Sequence, residues 1–111
     1  MTSLQTRLRQ FGGELGALCQ KVYHYRKPPR KEAPYITWAE DGEGDGTFNA
    51  DSRKAEQNIH GYIDYFTLTE YDTAVDDIQA LLDSHGSEWT LNDVQYEPET
   101  NLIHYSWEFN I

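Results

Sequence analysis

The chain has 111 residues and a single cysteine, enough length for one hydrophobic core and too few thiols for an intrachain disulfide. Its formal charge is −10, yet all nine Lys and Arg lie within residues 1–54, while residues 55–111 carry twelve acids and no base. That excess disfavours polyanion binding, no run approaches the roughly 20 apolar residues of a membrane span, and no signal-peptide-like stretch opens the chain, so a cytosolic protein without membrane contact is expected.

Leu4, Leu8, Phe11, Leu15, Leu18 and Val22 recur at alternating spacings of four and three, which predicts an amphipathic helix over about residues 3–25 with Ser3 as its N-cap. Gly12, Gly13 and Gly16 weaken that helix by about 1 kcal/mol each relative to Ala. Pro28 and Pro29 end it, and residues 26–33 read as an exposed connector. The β-forming run from Pro34 to Ala39 predicts a first strand.

Residues 40–51 hold Gly42, Gly44 and Gly46 among five acids, Glu40, Asp41, Glu43, Asp45 and Asp51, and predict a long mobile loop. Residues 57–69 are dominated by β-branched and aromatic side chains and read as a second strand, with Gly61 as a possible bulge and apolar residues on both faces. Tyr71, Val75, Ile78, Leu81 and Leu82 mark a second helix, capped by Thr69 or Asp72 and closed at Gly86. Trp89 to Tyr96 and Leu102 to Phe109 then flank a turn, a β-hairpin whose last strand alternates Ile103, Tyr105, Trp107 and Phe109 with polar residues. The order α-β-β-α-β-β predicts one α+β domain over residues 1–111, a sheet with helices packed on it.

Candidate chemistry is sparse. Asp41, Glu43, Asp45 and Gly46 copy the first half of an EF-hand loop, but Ser52 stands where a bidentate Glu is needed, and a strand rather than a helix precedes it. An unbound acidic loop is the better reading, with a calcium-regulated binding module as the alternative from a different class. His24, His60, His85 and His104 lie on four different elements, with a pairing of His60 and His104 across strands conceivable. Cys19 beside the apolar stripe reads as a structural thiol, and no nucleophile, phosphate-loop or metal motif occurs. No enzyme, cofactor or metal site is expected. Arg26, Lys27, Arg30 and Lys31 form a basic cluster better suited to carboxylates on a neighbouring subunit than to nucleic acid, given the acidity of the rest.

The segments APYITW, NADSRKAEQNIHGYIDYFT and DTAVDDIQALLDSHG, followed by an aromatic hairpin, resemble the small tail-completion proteins of long-tailed bacteriophages and prophages, in particular the tail terminator or tail-to-head joining group. The resemblance implies a non-enzymatic α+β protein of the virion neck, assembled in the host cytoplasm as a hexameric ring. Such a ring ends the tail tube and offers a surface to the head connector. It also implies that the loop at residues 40–51 orders on assembly, that Trp38, Phe48, Arg53 and Lys54 on its flanks contact a partner, and that DNA passes nearby without specific binding. Head-closure and minor tail components share the same size, acidity and aromatic strands.

Overall fold

The computed structural model describes residues 2–30, 32–44, 57–86 and 88–111. Helix α1 (Leu4–Leu18) is followed by strands β1 (Val22–His24), β2 (Tyr35–Glu43) and β3 (Ile59–Thr67), helix α2 (Thr73–Ser84), and the hairpin β4 (Glu88–Glu97) and β5 (Leu102–Asn110). The α+β class is as expected, with one more strand than the sequence predicts.

The extra strand comes from the end of the predicted first helix. Cys19 already has extended backbone, with φ −149° and ψ 136°, and α1 stops at Leu18. Residues 22–25, Val-Tyr-His-Tyr, favour strand, and β1 finds a partner in β2, to which it pairs in parallel. Val22 fits the helical stripe by spacing yet reaches the core from a strand; it packs against the same cluster as Leu15 and Ile36.

The five strands form one mixed sheet in the order β1-β2-β3-β5-β4. One face carries both helices. Leu8, Phe11 and Leu15 of α1 and Ile78 and Leu82 of α2 pack on Ile36, Trp38, Ile59, Ile63, Tyr65, Trp107 and Phe109, and all twelve are buried. Phe11 sits at the junction, its ring 5.3 Å from Trp38 and 5.2 Å from Phe109. Aromatic rings thus supply much of the buried area in a chain with few aliphatics.

Strand β2 runs further than the sequence predicts, through Glu43, so Glu40, Asp41 and Glu43 belong to a strand and not to a loop. Local composition argues against this extension, but β3 offers a continuous ladder, with Glu40 opposite Gly61, Gly42 opposite His60 and Glu43 opposite Ile59. The bulge therefore falls at Asp41, not at Gly61. Gly61 is needed for a different reason: a Cβ there would lie 2.4 Å from the Ala39 carbonyl oxygen and 2.8 Å from the Phe109 ring.

Helix α2 is joined to the sheet through its N-cap. Asp72 Oδ1 accepts from the Ala74 amide at 2.9 Å, and Oδ2 accepts from the Tyr65 and Thr67 hydroxyls at 2.6 and 2.7 Å. At the other end Gly86, at φ 63°, takes the left-handed conformation that closes the helix. No helix of the described residues is long and apolar enough to cross a membrane.

Candidate interaction surfaces

The basic cluster sits where β1 ends. Tyr25, at φ 71°, turns the chain out of β1, and Arg26, Lys27 and Arg30 follow as exposed residues, with Pro28 buried among them. Arg30 lies 4.0 Å from the Glu32 carboxylate, which is also exposed, a weak surface pair. Lys31 lies outside the described residues, as do Phe48, Arg53, Lys54, Asp45 and Asp51. The expectations placed on those six positions, and on the loop beyond Gly44 that contains three of them, concern residues the structure does not describe.

Trp38 lies mostly in the core and shows only an edge at the groove beside α1. It is 4% exposed, stacked on His24 at 3.9 Å and edge-on to Phe11, so its indole is committed to the core. Its place between loop and strand in sequence suggested a flank, but β2 begins at Tyr35 and carries Trp38 to the helix-covered face.

The acids of β2 each have partners. Glu40 is half-buried, accepts from the Tyr25 hydroxyl and lies 2.7 Å from His24 Nε2. Burial pushes its carboxyl upward, but the hydrogen bonds from Tyr25 and His24 outweigh that and hold it below its ordinary value. Asp41 at the bulge bonds His60 Nδ1, and Glu43 accepts from Gln57 Nε2 at 2.8 Å. Asp41 and Glu43 thus stand in a strand, which is not the helix-loop setting of an EF-hand. Among the described residues no group of three or more His, Cys, Asp and Glu is arranged to hold a metal ion.

His60 and His104 do not meet; His60 is opposite Asn110 and His104 opposite Phe66. Instead every histidine pairs with a carboxylate: His24 with Glu40, His60 with Asp41 and Glu108, His85 with Glu14 at 3.0 Å and His104 with Asp64 at 2.8 Å. His60 bridges three strands, because its two nitrogens reach Asp41 on β2 and Glu108 on β5, the latter at 2.6 Å. The hydrogen bond to Asp41, with that to Glu108, raises the imidazole pKa against the opposing effect of burial, and His60 in turn holds Glu108 low. On the same open face Tyr35, Phe66 and His104 stack in a row at 4.4 and 4.2 Å.

Strand β4 holds residues that sequence reasoning missed. On the helix-covered side Trp89 is tied to α2 by a 2.8 Å bond from its indole to Asp83, and β4 is the last strand on that side of the sheet. Leu91, Val94 and Tyr96 are 38, 49 and 58% exposed on that face, opposite Trp107, Tyr105 and Ile103 of β5. A bulge between Leu91 and Asp93 keeps all three on one side. The spacing of Trp89, Leu91, Val94 and Tyr96, two then three then two, is the trace of that bulge in the sequence.

Strands β1 and β4 are the two ends of the sheet, and they differ in charge. The β1 end bears Lys21, Arg26, Lys27 and Arg30, whereas β4 and its turn bear Glu88, Asp93, Glu97 and Glu99 without a base. Comparison with protein-family models gives no match, and comparison with curated proteins gives none either.

Proposed function

We propose that the chain is a structural protein of phage tail completion that assembles with copies of itself into a ring at the end of the tail tube and presents that ring to the head connector. One observation carries this reading: the two ends of a single sheet carry opposite charge. Contacts between unlike surfaces of identical copies repeat head to tail, and they close into a ring when the rotation per step closes. Like-with-like contacts would set Glu88, Asp93 and Glu97 against themselves, or Arg26, Lys27 and Arg30 against themselves. The family resemblance supplies the setting, with the tail-tube protein and the head-closure or connector protein as the further partners and DNA passing without specific binding. Acidic surfaces suit that passage, because like charge opposes phosphate adhesion.

The test is electron microscopy of the purified protein mixed with tail tubes of the phage or prophage that encodes it. A ring capping one end of each tube is the expected image. Tubes that lengthen unchecked, with the protein free in solution or scattered along their sides, would refute the assignment.

A further inference from the structure

Resting on the ring reading, we infer how neighbouring copies join: the hairpin of one copy adds its β4 edge to the β1 edge of the next, and the bare apolar face of the hairpin docks beside helix α1 of that next copy.

The strand directions make this contact favourable. Since β1 is parallel to β2, and β2-β3, β3-β5 and β5-β4 are antiparallel, β1 and β4 run in opposite directions. A second copy placed beside β4 in the same orientation therefore presents its β1 antiparallel, ready for main-chain hydrogen bonds. Both strands are sheet ends with no further neighbour among the described residues. Orientation is preserved, so the helices of both copies lie on the same side of the joined sheet.

That side supplies the rest of the contact. Strand β1 has three residues, too few to hold two molecules together through backbone pairing alone. Next to it, between α1 and the sheet, runs a groove of about 540 Å³ lined by Gln5, Leu8, Arg9, Gly12, Gly16 and Val22, among others. Gly12 packs closely within the chain, since a Cβ there would lie 3.1 Å from the Trp38 ring. Gly16 is not: a Cβ there meets nothing within 4 Å, so intrachain packing leaves a helix-weakening residue at position 16 unexplained. In the joined sheet the apolar residues Leu91, Val94 and Tyr96 reach this groove from the neighbouring copy, and the lack of a side chain at 16 makes room for them. Charge fixes the pairing of ends: Glu88, Asp93 and Glu97 on β4 meet the Lys21, Arg26, Lys27 and Arg30 end of the next copy.

Two variants, each blocked on one side, test the polarity of the contact. Leu91→Lys with Val94→Lys disables the hairpin at exposed positions. Gly16→Leu with Arg26→Glu and Lys27→Glu disables the β1 end, and it should still fold because a Cβ at 16 meets nothing within 4 Å and Arg26 and Lys27 are exposed. By sedimentation velocity, with circular dichroism as the folding control, wild type is expected to form higher assemblies as concentration rises. Each variant alone should stay monomeric, and an equimolar mixture should form two-copy complexes and nothing larger. Dimers of the Gly16→Leu triple variant alone would mean that hairpins pair with each other and would overturn the inference. Wild-type rings alongside a mixture that stays monomeric would overturn it while leaving the ring reading standing. Wild type that never assembles, with or without tail tubes, would overturn both.

Discussion

The Asp72 carboxylate serves two elements at once, capping α2 through Ala74 and binding Tyr65 and Thr67 of β3. Burial alone would raise its pKa; the hydrogen bonds from Tyr65, Thr67 and the Ala74 amide prevail and lower it, while burial and Asp72 push the Tyr65 phenol well above its ordinary range. With a lowered folded pKa, its contribution is complete above the unfolded value of about 3.9 and is lost as pH falls through the folded one. Asp72→Ala removes the cap and strands two hydroxyls, so a loss of about 2–4 kcal/mol is expected in urea unfolding at neutral pH. His60 has the opposite sign. Its folded pKa lies above 6.5, so the clamp to Asp41 and Glu108 contributes fully below that value and fades as pH rises through the raised one. Plotted against pH, the wild-type Tm should fall on the alkaline side of 6.5, and His60→Gln should flatten that fall; parallel curves for the two proteins would show that His60 bears no such role.

At the scale of elements, Gly61 shows how closely β2, β3 and β5 are fitted. Gly61→Ala drives a methyl into the Ala39 carbonyl and the Phe109 ring, where neither the strand backbone nor a fully buried ring gives way easily. A loss of about 1–3 kcal/mol is expected from the shift of the unfolding midpoint. The same strands mark the limits of reading elements from sequence. Helix α2, β3 and the hairpin were legible because their periodicities are long and their stops, Asp72 and Gly86, are explicit. The end of α1 was not legible, since Val22 satisfies a helical stripe and a core-facing strand position equally well. Nor was the reach of β2 past Ala39, where acids and glycines argue for a loop and only pairing with β3 makes a strand. Trp38, expected on a loop flank, lies within β2 with 4% of its surface exposed for the same reason. Tertiary pairing, absent from any local window, decided all three.

For the whole molecule, the segregation of charge along the chain becomes segregation across the sheet. The topology carries the basic residues to the β1 end and leaves the β4 end acidic, so a feature of composition acquires a direction in space. The exposed hairpin face adjoining the acidic end is not evident from strict alternation, because Val94 and Tyr96 fall out of step with Trp89 and Leu91 until the bulge at Asn92 is placed. Exposed charges contribute little energy one by one, but they steer encounters and are screened by salt. Changing Arg26, Lys27 and Arg30 to Glu should therefore slow assembly strongly at low salt, with the monomer's Tm nearly unchanged; light scattering against time, at two ionic strengths, reads both the rate and its salt dependence.

Copies that join unlike edge to unlike edge should close on themselves. Native mass spectrometry of the wild-type protein over a range of concentrations tests this most directly. One closed oligomer of fixed size larger than a dimer is expected, growing at the expense of monomer and weakened by added salt. A population that stops at two copies, or one that stays monomeric at every concentration both alone and with tail tubes present, would overturn it.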